Sequence, residues 1–298
     1  PLEALELILG DGVYGEILCK IPINGVAFTG SLKTAKKIQT NLLNNQNQIV
    51  PLIAETGGIN TMIVDSSALL EQVTDDVIRS AFDSAGQRCS ALRVLCVQEE
   101  IYDELINMIL GNMEVQSLGD PNSFDVDIGP IINKSAHKKL KNYIANCREK
   151  GMNVIETNQA TCDKYIGPTL ISINKVSDIK EEQFGPILHV LKYSFDDIDN
   201  LIKQINDSEY GLTMGIHTRI ESRASYLCDE SKIGNIYINR DMVGAVVGSQ
   251  PFGGVGLSGS GFKAGGPNYL IQFLNEKVVS KNSVAFGGNT ELLNFQKD

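Results

Sequence analysis

The chain has 298 residues, 42% hydrophobic and 21% charged, enough apolar material to bury one large core or two. Its formal net charge of −10 argues against a general surface for nucleic acid or for anionic membranes. No apolar run is long enough to cross a bilayer, and acidic residues occupy the start, where a secretory leader would carry basic ones.

Taken in order, residues 2–9 (LEALELIL) have helical character and stop at Gly10. Residues 25–31 (GVAFTGS) read as a short buried strand running into a glycine turn. A helix follows, with Leu32, Ala35, Ile38 and Leu42 on one face and Ser31 as its N-cap. A strand, a small-residue turn and a helix N-terminus make an anion site, although an ordinary capped strand-to-helix unit is commoner. The run NNQNQ at 44–48 reads as a loop before the next strand. Further strands are expected at 61–64, 93–97, 152–156, 169–173, 187–193, 213–217 and 235–238. Helices are expected at 67–86 (one, or two joined), 99–114, 134–150, 196–206 and 220–231. The alternation predicts an α/β fold with a mainly parallel sheet.

Two stretches carry the chemistry. AETGGIN places Glu55 ahead of two glycines, and SAFDSAGQRCSALR places Cys89 in a loop of small residues after a helix that ends at Gly86. By residue type alone, a lone Cys is most often a small buried hydrophobe. Beside Arg88, however, a cation is expected to favour the reactive thiolate. Two adjacent carboxylates at Glu181 and Glu182, ahead of Gly185-Pro186, would ordinarily be a solvated loop. Gly254, Gly256 and Gly259 match a dinucleotide fingerprint formally, but no strand precedes them and no clear helix follows, so they read instead as a flexible substrate entrance. The six cysteines include no CxxC pair and suggest reduced thiols in a cytoplasmic protein. The three histidines, His137, His189 and His217, are scattered without metal-ligand spacing, and His137 reads as a solvated surface residue.

Together, FTGS, AETGGIN, SAGQRCSALR, EQFGP, VGAVVG, QPFGG and KAGGP, in this order, resemble the aldehyde dehydrogenase superfamily. Within it the resemblance is greatest to the pyrroline-5-carboxylate dehydrogenase domain of the bifunctional proline utilisation proteins. The resemblance implies Cys89 as nucleophile and Glu55 as general base. It places Gly30 and Ser31 on the pyrophosphate of NAD, Glu182 on the nicotinamide ribose and Phe184 on the nicotinamide side. Ser90, Gly244 and Ala245 would hold the substrate carboxylate, and Phe252 would form an aromatic wall. The implied reaction is NAD-dependent oxidation of L-glutamate γ-semialdehyde to glutamate in proline catabolism.

The same resemblance divides the chain into a C-terminal remnant of an NAD-binding domain (1–54), a catalytic thiol domain (55–257) and a C-terminal return with a contact tail (258–298). It implies an aldehyde substrate, a homo-oligomer, and a proline dehydrogenase domain with FAD elsewhere in the parent chain. The tail SVAFGGNTELLNF resembles a C-terminal extension used for subunit or domain contacts. The family's second oxyanion donor, an Asn, and its adenosine-ribose Lys both precede FTGS and do not occur in this sequence. The chain, opening on Pro1, therefore reads as a piece of a longer enzyme, with an incomplete NAD site and weak or no activity alone. An aldehyde dehydrogenase of other specificity and a non-catalytic scaffold remain alternatives. A cysteine hydrolase ranks low, because no histidine has a suitable motif.

Overall fold

Strands β3 (Thr61–Val64) and β4 (Val94–Gln98) are buried at every position, which explains why TMIV and VLCVQ read as unbroken runs without a polar face. The computed structural model describes residues 4–158, 163–246 and 248–282. Before the central sheet come α1 (Gly12–Leu18), β1 (Val26–Thr29), α2 (Leu32–Asn45) and β2 (Leu52–Glu55). Then follow β3, α3 (Leu70–Phe82), β4, α4 (Tyr102–Val115), α5 (Lys134–Glu149), β5 (Val154–Glu156), β6 (Thr169–Ser172) and β7 (Ile187–Tyr193). The chain continues through α6 (Ile198–Asp207), β8 (Tyr210–Gly211), β9 (Thr213–His217), α7 (Glu221–Glu230), β10 (Asn235–Ile238) and β11 (Val255–Gly256).

A seven-stranded sheet runs in the order β10-β9-β3-β4-β7-β6-β5, and all its pairs are parallel except β5 with β6. Alternate side chains of its strands go to opposite faces. Met62, Val64, Leu95 and Val97 meet Val77 of α3, Leu105 and Ile109 of α4 and Ile144 of α5. Ile63, Val94 and Cys96 meet Leu201, Ile202 and Ile205 of α6 and Leu227 of α7. Each parallel connection thus leaves an apolar helix stripe on one face or the other, as this topology requires.

A second, two-stranded parallel sheet pairs β1 with β2 in a register that sets Thr29 beside Glu55. The two sheets present opposite ends to one another. Gly30 and Glu55 lie at the carboxyl ends of β1 and β2, whereas Asn60, Cys89 and Glu182 lie just before the amino ends of β3, β4 and β7. Residues 253–260 close this junction. Thr56 N donates to Ser258 O (3.0 Å), Ser260 N to Ala54 O (2.9 Å) and Thr56 Oγ1 to Leu257 O (2.6 Å).

Three expectations need correction. No helix occupies residues 5–9; an α-helix forms instead at Gly12–Leu18, where the Asp11 side chain accepts from Val13 N (2.9 Å), and it buries none of its residues. The Asp11 cap explains the difference: it satisfies an N–H at the start of the later segment, whereas Leu5, Leu7 and Leu9 stay exposed. β1 is half-buried rather than buried, because its sheet has only two strands among the described residues. The helix before Cys89 ends at Phe82, not Gly86. A 3-10 turn over Asp83–Gly86 follows, with Ser84 and Ala85 in the left-handed region at φ 56° and 55°. The tail 283–298 lies outside the described residues.

Leu95 is fully buried at the centre of the larger core. Leu95→Ala is expected to lower unfolding free energy by about 2–5 kcal/mol, read as a fall in the urea midpoint with an unchanged m-value.

Candidate active site

Glu55 is fixed from three directions. Its main-chain oxygen accepts from Gly30 N (3.0 Å), which ties the FTGS turn to the end of β2. Its Oε2 accepts from Gly254 N (2.9 Å). A Cβ at position 259 would sit 2.8 Å from that same oxygen, so the loop can wrap the carboxylate only with glycine there. Glu55 Oε1 is buried and has no partner. Burial pushes this carboxyl above its ordinary range, against the opposing pull of the Gly254 N–H and of Lys263. The Lys263 ammonium itself donates to Gly253 O.

Cys89 lies in the turn between the left-handed residues and β4. Asn60 holds that turn from below: its Nδ2 donates to Cys89 O (2.7 Å) and Ala91 O (2.8 Å). The thiol is half-buried, whereas Cys96 and Cys147 are buried in the cores. Burial pushes the Cys89 thiol upward, and the carboxylates of Glu182 and Glu55 push the same way, while the N–H groups of Ser90 and Cys89 oppose them. Arg88 does not activate the thiol as expected from the sequence. Its Nε turns to Ser84 Oγ (2.9 Å), and the largest charge effect on the sulfur is that of the Glu182 carboxylate. The thiol therefore rests protonated.

Arg93 is the cation that dominates this region. It is 1% exposed, lies immediately before β4, and reaches across to the loop before β7. Nη1 donates to Gly86 O (2.8 Å) and Gly185 O (3.2 Å), and Nη2 to Arg88 O (3.0 Å) and Glu182 Oε1 (3.0 Å). The guanidinium also lies 5.4 Å from the centre of the Phe184 ring. Burial pushes Glu182 upward against the pull of Arg93 and of the Gly58 N–H. The Glu182 carboxylate leans over Gly57, where a Cβ would fall 1.7 Å from Oε2; only glycine fits. Arg93, Asn60 and Lys263 were not singled out from the sequence. A charged residue inside the apolar run LRVLCV was the signal for Arg93.

The remaining candidates surround these groups. Ser90 is buried, and its carbonyl accepts from Thr213 Oγ1 (3.3 Å). Gly244 O accepts from Tyr237 Oη (3.4 Å), and burial pushes the Tyr237 hydroxyl upward. Ala245 is exposed beside it. Phe252 is paired with Ala264 through both main-chain bonds, one residue before the glycine that contacts Glu55. Ser31 Oγ accepts from Thr34 N (3.2 Å) at the start of α2, whose first N–H groups have no intrahelical partners. A cavity of about 250 Å³ adjoins that helix, lined by Leu32, Ala35, Lys36, Ala54, Gly256 and Leu257.

None of the histidines is placed to act on the thiol. His189 is locked between Arg93 O (2.9 Å) and Tyr143 Oη (2.8 Å), and burial holds it down at about 4. His217 is buried 3.6 Å from Asp76, and burial likewise holds it at about 4. His137 is half-buried, not free on the surface, with Nε2 against Tyr165 O (3.2 Å). Among the described residues, no group of three or more His, Cys, Asp or Glu could hold a metal, and no helix is long and apolar enough to cross a membrane.

Comparison with known proteins gives a consistent result. The model of the aldehyde dehydrogenase family matches residues 1–279. The bifunctional protein PutA of Klebsiella aerogenes is 48% identical over 96% of this chain, which spans 23% of that protein. A crystal structure of a Bradyrhizobium japonicum proline utilization A variant is 45% identical, with a TM-score of 0.91, and the match covers 96% of this chain and 30% of that one. A 1-pyrroline-5-carboxylate dehydrogenase from Thermus, solved with bound NAD, is 33% identical with a TM-score of 0.81 over 88% of this chain and 51% of its own. The chain thus spans about a quarter of the PutA relative and about half of the shorter dehydrogenase.

Half-burial of Cys89, set against the full burial of Cys96, predicts an order of alkylation. Brief iodoacetamide treatment should label Cys89 before Cys96 and Cys147, with a rate still rising above pH 8, as peptide mass spectrometry would show. Equal labelling of the three would contradict an accessible site.

Proposed function

Since the chain belongs to the aldehyde dehydrogenase family, we propose that it oxidises an aldehyde to a carboxylate through a covalent thioester, with L-glutamate γ-semialdehyde as substrate and NAD as oxidant. The observation that carries this reading is that one half-buried thiol, Cys89, and one half-buried carboxyl, Glu55, whose Oε1 has no partner, come from the facing ends of the two sheets to the same junction. The names of the relatives in proline utilisation and pyrroline-5-carboxylate oxidation support the substrate.

Cys89 adds to the aldehyde carbon and its thiol proton leaves. Glu55, whose buried carboxyl is pushed above the usual range, is the acceptor. The resulting oxyanion is met by the Cys89 main-chain N–H, a donor fixed in place by the Asn60 bond to the same turn. A bound NAD would supply the hydride acceptor for that carbon, and Cys89 would then hold the acyl group as a thioester. After returning its proton to solvent, Glu55 takes one from water. The hydroxyl group then displaces sulfur, releasing the acid and restoring the thiol. Overall, the aldehyde, NAD and water become the carboxylic acid, NADH and a proton.

The residues present suit the cofactor at both ends. The Gly30-Ser31 turn and the helix N-terminus beside the cavity would take pyrophosphate. The Glu182 oxygen not bonded to Arg93 lies over Gly57 with no side chain beneath it, open to a vicinal diol, and Phe184 is 43% exposed beside it. Main-chain N–H groups at Gly244 and Ala245, with Ser90, would hold the substrate carboxylate, and Phe252 would wall the pocket. In this reading residues 1–54 belong to the cofactor domain, 55–257 to the thiol domain and 258–298 to the return and contact tail. A flavin-dependent proline dehydrogenase unit in the parent chain would provide the cyclic precursor.

Glu55→Gln should lower steady-state turnover by about 10²–10⁴-fold and abolish the rising limb of the pH–rate profile. In the unaltered protein that limb should have its midpoint above the ordinary carboxylate range, since a base whose pKa is raised becomes competent only at higher pH. Turnover of Glu55→Gln within a few-fold of the parent would contradict the role. A kcat/KM for hexanal equal to that for the semialdehyde would contradict the substrate.

A further inference from the structure

The loop that carries the thiol leads into β4 and the loop that carries the cofactor acid leads into β7, two strands that pair in parallel. Ahead of that pairing, the Arg93 side chain ties the loops to one another. Arg93 spends its Nη donors on the carbonyls of Gly86 and Arg88, which frame the Cys89 turn, and on Gly185 O and Glu182 Oε1 in the opposite loop. Its Nε is left buried without a partner, so the guanidinium is held for where its two Nη groups reach and not for complete satisfaction. Its backbone is equally fixed, with Arg93 N on Asn60 O (2.9 Å) and Arg93 O receiving His189 N (2.9 Å).

We propose that Arg93 is a positioning residue for the aldehyde oxidation: a single buried guanidinium holds the Cys89 turn in register with Glu182 and Phe184 and compensates the carboxylate that faces the thiol. This inference rests on the reading of Cys89 as nucleophile and Glu182 as cofactor acid. Glu182 and Glu55 oppose ionisation of the sulfur, the N–H groups of Cys89 and Ser90 favour it, and the Arg93 guanidinium is coupled to the same sulfur. Arg93 offsets Glu182 more strongly than the Gly58 N–H and Lys139 do. Without it, that carboxylate would lose its largest compensating charge beside the thiol, and the peptide bonds of residues 86, 88 and 185 would lose a common anchor. Two consecutive left-handed residues, Ser84 and Ala85, precede the turn and are unfavourable for L-amino acids; the anchor at Gly86 O lies immediately after them.

The two contributions separate by experiment. Carboxamidomethylation of Cys89 would be followed against pH in the intact protein by peptide mass spectrometry, alongside KM for NAD and kcat, and far-UV circular dichroism would verify folding. Glu182→Gln removes the facing anion and should move the alkylation midpoint down by about one pH unit; Arg93→Met should move it up by a similar amount. The double variant, Arg93→Met with Glu182→Gln, should bring the midpoint back toward the parent value without restoring KM for NAD. Arg93→Lys keeps the charge but not the fork. It should leave the midpoint near the parent value while kcat falls at least tenfold, because one ammonium cannot span both loops.

An unchanged alkylation profile in Glu182→Gln would overturn the proposal, even if Arg93→Met did not fold. So would Arg93→Lys with parental kcat, or Arg93→Met that loses thermal stability alone. Alkylation does not require turnover. A protein that shows these shifts but does not oxidise the semialdehyde would refute the proposed reaction and leave the role of Arg93 in the thiol's environment standing.

Discussion

Glu182 and Arg93 form an ion pair at 3.0 Å, the guanidinium buried and the carboxylate 17% exposed, and the rest of the site is arranged around it. Burying the guanidinium alone would be costly, and removing its partner would leave it uncompensated. The guanidinium meets that constraint with carbonyl oxygens as well as with the carboxylate. These carbonyls belong to the segments that lead into Cys89 and away from Phe184, so the electrostatic requirement of the pair becomes a geometric one. Gly57 completes the arrangement by leaving room for the second carboxylate oxygen.

The location of this pair follows from topology. In many α/β proteins a ligand crevice forms at the carboxyl ends of parallel strands. Here the carboxyl ends of the two-stranded sheet contribute Gly30, Ser31 and Glu55, while the amino edge of the seven-stranded sheet contributes Asn60, Cys89 and Glu182. The glycine-rich return is stitched to β2 by main-chain bonds and carries the Gly254 N–H that anchors Glu55. Thiol and carboxylate thus come from opposite sides of a junction, which suits a reaction in which one captures an acyl group and the other releases it. Both are protonated more readily than their free counterparts, the carboxyl through burial and the thiol through burial reinforced by two facing carboxylates.

Much of this was legible in sequence because the larger sheet is covered on both faces. Its strands appear as uninterrupted apolar runs and its helices as apolar stripes, and 61–64, 187–193, 213–217 and 235–238 match the observed strands to the residue. The motifs around Glu55 and Cys89 stood out through their resemblance to a family, since by residue type alone Cys89 reads as a small buried hydrophobe. Local pattern failed where the controlling interaction is distant in sequence. Arg88 adjoins Cys89 in the chain but turns to Ser84, whereas Arg93 acts through carbonyls and a carboxylate on another loop. Similarly, the apolar start suggested a helix, but the helix forms only after Asp11 provides a cap.

Sulfur as the acyl carrier is the feature on which the proposed chemistry depends. Rapid acid quenching during a single turnover with NAD and glutamate γ-semialdehyde, followed by peptide mapping, would locate the covalent intermediate. A hydroxylamine-labile glutamyl adduct on the Cys89 peptide is predicted. NADH formation with no adduct on that peptide, or with the adduct on another cysteine, would contradict it.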